Sequence, residues 1–181
     1  MDSSKELIII TGVSGAGKSS AMAFMEDAGY YCIDNMPPEL MSTFVSLLAN
    51  NSEYYPKVAM VVDIRSGYVF EKIIASIDSV EQYGYTCKIV YLDINDTEAL
   101  KRYKLTRRKH PFADKFNGNI QNALDYEREI LAPLRLKADH IIDTSGIDTH
   151  QLRARLTELL MGDAKELSLI HISEPTRHLR I

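Results

Sequence analysis

Gly12-Val13-Ser14-Gly15-Ala16-Gly17-Lys18-Ser19 decides the fold of this chain. The octet satisfies the P-loop pattern G-x-x-x-x-G-K-[ST] at every required position. Its flanks agree with it. Leu7-Ile8-Ile9-Ile10-Thr11 is a short β-branched apolar run, and Ala21 to Glu26 is made largely of good helix formers. Strand, glycine loop and helix follow in the order that a phosphate-binding loop needs. Glycines at 12, 15 and 17 let successive backbone N–H groups converge on phosphate oxygens, and the start of a helix near Lys18 adds its positive dipole end. In such a loop Gly12, Val13, Ser14, Gly15, Ala16, Gly17, Lys18 and Ser19 contact the nucleotide. Lys18 reaches the β- and γ-phosphates and the Ser19 hydroxyl ligates Mg²⁺.

Outward from the octet, strand-like and helix-like stretches alternate. Strands are expected at Tyr30–Asp34, Val58–Asp63, Lys88–Asp93 and His140–Thr144. Helices are expected at Glu39–Asn50 (apolar face Leu40, Phe44, Leu47 or Leu48), at Val69–Tyr83, from Asn95 or Asp96 towards Lys109, and at Ile120 to about Leu136 (Ala123, Tyr126, Ile130 and Leu134 on one side). Pro133 should kink the last of these, and a closing helix through Leu152, Leu156, Leu159 and Leu160 should stop at Gly162. Such alternation predicts an α/β fold: a P-loop NTPase three-layer sandwich around a mainly parallel sheet of about five strands, with a kinase-like lid. Ligands of parallel sheets bind beyond the strands' carboxyl ends, where the octet, Asp34, Asp63–Ser66 and Asp93 all fall.

Several of these residues can complete a site. Asp63, ending the most apolar strand, stands where a Walker-B carboxylate would hold Mg²⁺, or it caps the next loop. Asp34 is a candidate for the metal or for an attacking hydroxyl, although its Asn35-Met36-Pro37-Pro38 context also reads as turn chemistry. Arg102, Arg107, Arg108, Lys109 and His110 precede a Pro-Phe loop, and Arg135 follows on the returning helix. The cluster is either a lid, with Arg107 and Arg108 stabilising a transferring phosphate, or a solvated basic face. No Cys or His partners at ligand spacing accompany His110.

Composition bounds the class. The 181 residues, 45% of them apolar, suffice for one α/β domain with a core. A net charge of −4 argues against the whole surface being a nucleic-acid platform. No apolar run approaches membrane-spanning length, and Met1–Lys5 is no signal peptide. Cys32 and Cys87 read as small core residues, and a cytoplasmic setting fits.

The octet, Gly29-Tyr30-Tyr31-Cys32-Ile33-Asp34-Asn35-Met36-Pro37 and Asp63-Ile64-Arg65-Ser66 together resemble the RapZ/YvcJ family of bacterial nucleotide-binding proteins. Arg107–Pro111, Glu129–Arg135 and Ala138–Ser145 extend the resemblance, which covers about residues 6–162. It implies a weak, regulatory ATPase/GTPase using ATP, GTP and Mg²⁺. Gly12–Ser19 would be the ATP loop, and Asp63, Ile64, Arg65 and Ser66 the guanine-nucleotide-associated segment. The family also implies a C-terminal domain, with RNA-adapter and amino-sugar-phosphate sensing activity in the RapZ branch, through which RNA and protein partners would be met. That domain is expected to be absent here. Leu167–Arg177 is similar to the translation of a sequencing-library adapter, so 1–162 is read as the P-loop domain and 163–181 as a non-native tail. The competing function is a small-molecule or nucleotide kinase transferring the γ-phosphate to an acceptor. A third is a binding module switched by nucleotide state.

Overall fold

The computed structural model describes residues 5–62, 69–106 and 109–172. Five strands, β1 (Lys5–Gly12), β2 (Tyr31–Met36), β3 (Lys57–Val62), β4 (Tyr85–Asp93) and β5 (His140–Asp143), form one parallel sheet in the order β2-β3-β1-β4-β5. β1 is the central strand, and it reads as a continuous apolar run because both its faces are covered: Leu7 to Ile10 are buried throughout. β3 and β4 flank it in the registers Ile10↔Val61 and Gly12↔Leu92. Each fully buried aliphatic side chain there contributes about 1.5–3 kcal/mol.

The helices are α1 (Lys18–Asp27), α2 (Met41–Asn50), α3 (Val69–Glu81), α4 (Asp96–Thr106), α5 (Ile120–Lys137) and α6 (Thr149–Ile172). From β1 the chain crosses β3 to reach β2, and the later crossovers run the opposite way. Right-handed connections therefore put α1 on one face and α2, α3 and α5 on the other; α2 packs on α3, and α3 on α5. The P-loop leaves β1, at this reversal of direction. Tyr85 is buried and its hydroxyl donates to the Tyr55 carbonyl at 2.8 Å, tying β4 to the turn before β3. The chain divides into two compact units at Ile147/Asp148. The first holds the whole sheet. The second is α6, which opens on a reciprocal cap: Asp148 Oδ1 accepts from Gln151 N at 2.8 Å, and Gln151 Oε1 accepts from Asp148 N at 2.9 Å.

Some local expectations are corrected. The inner face of α2 is Met41, Val45 and Leu48, while Leu40 and Leu47 are exposed, because Leu40 belongs to a 3-10 turn (Pro38–Leu40) that resets the helical phase. β2 does not end at Asp34. A register shift between Ile33 and Met36, with Asn35 at φ 61°, carries the strand through the turn-like residues. On α5 the buried stripe is Ala123, Leu124, Glu127, Leu131 and Leu134, with Tyr126 and Ile130 at its margin. α6 passes through Gly162 to Ile172. A glycine inside a helix costs only about 1 kcal/mol against alanine, too little to end one by itself. Cys32 and Cys87 are half-buried free thiols, not full core residues. Desolvation pushes both thiols up, Cys87 to about 12.

Candidate phosphate-loop site

At its carboxyl end β1 must turn without losing contact with β4. Gly12 does this at φ 133°, and the next residue, Val13, donates its N–H to the Leu92 carbonyl at 3.1 Å. A side chain at Gly12 has nowhere to go. Its Cβ would overlap the Leu92 carbonyl oxygen and lie 2.7 Å from the Leu92 nitrogen. Ala16 N–H then bonds the Val13 carbonyl at 3.0 Å, closing the loop, and Gly17 at φ 101° stands as the N-cap of α1. No side chain caps this helix and its first turn has no acidic residue, so the opening amides are left to an anion.

Lys18 folds back over the loop. Its Nζ donates to the Gly12 carbonyl at 2.6 Å and the Val13 carbonyl at 3.1 Å. Burial lowers its pKa, and the charges of Glu127 and Asp34 work against that shift. An arriving phosphate would oppose it further. Asp34, which lies within β2 and not at its end, is within electrostatic range of Lys18, and it is exposed. Ser19, also exposed, offers a hydroxyl at the first turn of α1.

Two contacts that the sequence did not announce hold the loop from the sides. Arg102, on α4, donates to the Gly15 carbonyl at 3.0 Å, the Thr144 carbonyl at 2.8 Å and the Ile147 carbonyl at 3.4 Å, so it braces the loop against the end of β5. That takes Arg102 out of any solvated basic face. Glu127, on α5, is wholly buried. Its Oε2 accepts the Ser14 main-chain N–H at 2.8 Å and its Oε1 accepts the Ser14 hydroxyl at 2.5 Å. His110 Nε2 completes the cluster 3.2 Å from Glu127 Oε2, satisfied inside the protein and without a metal-ligand set among the described residues. Desolvation pushes the Glu127 carboxyl up, but the His110 bond, the Lys18 charge and the two Ser14 bonds outweigh it and hold the group below its ordinary value. A charged residue three after Leu124 and four before Leu131, inside an apolar stripe, was the available signal.

Among the other sequence candidates, Arg135 pairs with Asp93 at 3.2 Å on the surface. Lys109 pairs with Asp114 across the α4–α5 connection. Asp63, Ile64, Arg65 and Ser66 lie outside the described residues, as do Arg107 and Arg108. The described part of β3 ends at Val62, one residue before Asp63, alongside the end of β1.

Comparisons with known proteins agree with this architecture. The Bacillus subtilis YorR protein, solved in complex with phosphorylated GDP, superposes with a TM-score of 0.57 at 16% identity, covering 88% of this chain and 98% of that one. Shikimate kinase from Acinetobacter baumannii, solved with shikimate, gives a TM-score of 0.54 at 16% identity over 89% and 96%. At such identities the likeness establishes the P-loop kinase-like fold alone.

Relatives in sequence go further. A protein of Alkaliphilus oremlandii named "Nucleotide-binding protein" is 42% identical over 165 residues, 91% of this chain and 56% of its own length. One of the same name from Finegoldia magna is 43% identical over 151 residues, 83% of this chain and 52% of its own. The chain thus spans about half the length of the curated relatives it matches. The family model for the RapZ-like N-terminal domain matches residues 5–164, nearly the whole described chain. This chain belongs to the RapZ-like N-terminal domain family.

Proposed function

We propose that the domain binds a purine nucleoside triphosphate, ATP or GTP, at Gly12–Ser19 and hydrolyses it slowly. The observation that carries this is the conformation of the loop: uncapped α1 amides at the carboxyl edge of a parallel sheet, with Lys18 held over them. The names of the relatives support the same reading. Lys18 would leave the Gly12 and Val13 carbonyls for the β- and γ-phosphates, where a cation restrains the charge that grows on the departing group.

The donors available fit Mg²⁺ bound mainly through phosphate and water. Ser19 offers an exposed hydroxyl at the start of α1, the exposed Asp34 carboxylate is in electrostatic range of Lys18, and no cluster of three His, Cys, Asp or Glu side chains forms an all-protein cage among the described residues. When bound, the ion neutralises charge between the β- and γ-phosphates. Asp63 is proposed as its carboxylate partner, Ile64–Ser66 as a guanine-nucleotide segment, and Arg107 and Arg108 as cations acting on the transferring phosphate.

In the longer protein, nucleotide state would regulate contacts with RNA or protein partners made outside this domain. A reducing cytoplasm suits the two free thiols. No helix of the described residues is long and apolar enough to cross a membrane.

A second reading, transfer of the γ-phosphate to a small acceptor, is favoured by one observation: Asp34 sits in electrostatic range of Lys18, where it could orient an acceptor hydroxyl. Titration with a fluorescent ATP or GTP analogue, with and without Mg²⁺, tests binding. Phosphate release measured with and without candidate hydroxyl acceptors separates the two chemistries. Hydrolysis that is independent of acceptor and lost in Lys18→Met supports the first reading. No binding of either nucleotide refutes both.

A further inference from the structure

We propose that Glu127 is a positioning residue of the phosphate loop: clasped by Ser14 and His110, its carboxylate makes the loop and residues 109–119 one mechanical unit. The proposal rests on the reading above only in taking Gly12–Ser19 to be the phosphate loop. Three observations support it.

The first is the clasp itself. Ser14 gives its main-chain N–H to one carboxylate oxygen and its hydroxyl to the other, 2.8 Å and 2.5 Å away. Two parallel bonds fix the plane of the Val13–Ser14 peptide as well as its position. The Ser14 amide is thereby committed to Glu127 and the Ala16 amide to the Val13 carbonyl, so an anion in the loop must be met by the Gly15 amide and those from Gly17 onwards.

The second is direction. His110 Nδ1 accepts the Phe112 main-chain N–H at 3.1 Å. The ring proton therefore lies on Nε2, which donates to Glu127 Oε2 at 3.2 Å. Through one imidazole, the backbone at Phe112 is linked to the backbone at Ser14. Glutamine at 127 can keep this geometry only with its NH₂ towards Ser14 Oγ, which must then accept where it had donated, and the charge that strengthens all three bonds is gone.

The third is continuity. From the loop outwards runs a row of rings. A Cβ on Gly15 would meet the Tyr103 ring at 3.7 Å; Tyr103 packs on His110 with centroids 5.3 Å apart, and His110 on Phe112 at 6.0 Å. Phe112 and Phe116 then flank Tyr126 at 5.2 and 5.4 Å, and the Lys115 ammonium lies 3.4 Å from the Tyr126 centroid. The 3-10 turn Asp114–Phe116 is thus packed, ring by ring, onto the helix that carries Glu127. Were shape the whole purpose, an apolar side chain would serve at 127. Buried ionic groups are commonly replaceable by apolar ones without loss of stability, so the need here is for charge and orientation.

Amide hydrogen exchange on the nucleotide-free protein tests the coupling with Glu127→Gln and Ser14→Ala, following peptides from 12–19 and 109–119, with β4 as reference. Both variants should speed exchange in both segments together, about fivefold or more, while β4 keeps its wild-type rate. Glu127→Gln should resemble Ser14→Ala and not the wild type. Where turnover is measured, kcat should fall by a larger factor than KM rises. Wild-type exchange in both segments, or faster exchange in 12–19 alone, overturns the proposal. Should Glu127→Gln fail to fold, Ser14→Ala, which deletes one hydroxyl from a half-buried residue, decides the matter. A wild-type protein that binds no nucleotide would refute the proposed function and leave the exchange result standing.

Discussion

Replacing Gly12 by alanine should be the most damaging one-carbon change in the loop. The new Cβ would overlap the Leu92 carbonyl oxygen and stand 2.7 Å and 2.8 Å from the Leu92 nitrogen and carbon, all of them main-chain atoms that no rotamer change can move. Relief requires β1 and β4 to part at Gly12↔Leu92, where the Val13 N–H to Leu92 carbonyl bond is lost. Holding alanine at φ 133° costs about 1–3 kcal/mol. A buried donor without its partner adds about 1–3 kcal/mol. The sum, roughly 2–6 kcal/mol, is a large share of the 5–15 kcal/mol typical of a whole domain. At a central value of about 4 kcal/mol, Tm falls by roughly 8–16 °C in a chain of this size. Gly15→Ala is the internal control. Its Cβ meets only the Tyr103 ring at 3.7 Å, an ordinary contact, so the left-handed backbone alone is penalised, by about 1–2 kcal/mol. Urea unfolding of both variants measures the difference. A Gly12→Ala midpoint as high as that of Gly15→Ala would refute the reasoning, since it would mean that β4 yields freely at Leu92.

Lys18→Met should lower nucleotide affinity about tenfold to a hundredfold, by loss of charged hydrogen bonds to phosphate, while its Tm stays level or rises because a desolvated cation is gone; calorimetry with thermal unfolding checks both. Asp63→Asn should depress Mg²⁺-dependent turnover at least about tenfold more than metal-free nucleotide binding, whereas equal losses would point to a structural carboxylate. The Glu127 carboxyl titrates below its ordinary 4.5 in the folded chain, so its stabilisation is complete above that pH and is lost as pH falls through the folded value. Urea midpoints taken from about pH 5 downwards should therefore drop less steeply in Glu127→Gln than in the wild type, and parallel curves would deny the shift. Deleting residues 167–181, beyond the end of the family match, should move Tm by less than about 2 °C, and a larger fall would show that the segment contributes to folding.

The sequence disclosed what local residue types dictate. The octet needs only its own glycines, lysine and serine to be recognised, and the five parallel strands follow from apolar runs spaced by helices. Phase and long-range pairing were less legible. On α2 the expected Leu48 does face inward, but Met41 and Val45 stand there in place of Leu40 and Phe44, because periodicity does not reveal that Leu40 belongs to a tighter turn. β2 outruns its turn residues because β3 supplies a partner across the irregularity. Glu127 escaped notice since its meaning lies in Ser14, 113 residues away in sequence, and no helical pattern can encode that neighbour. Arg102 is similar, for its acceptors are main-chain carbonyls, which carry no sequence signature.

The two native cysteines open an experimental route. Thiols attack maleimides and iodoacetamides as thiolates, and Cys32 and Cys87 are held protonated by desolvation, Cys87 with a pKa of about 12. At neutral pH both should be slow to alkylate. A cysteine introduced at Leu105, 75% exposed on α4, would ionise in the ordinary range and outcompete them. The native background thus leaves room for a single fluorophore on the helix that carries Arg102 and Tyr103, with no cysteine removed first. Such a dye could report in real time on the surroundings of α4 as nucleotide binds, which hydrogen exchange samples only segment by segment.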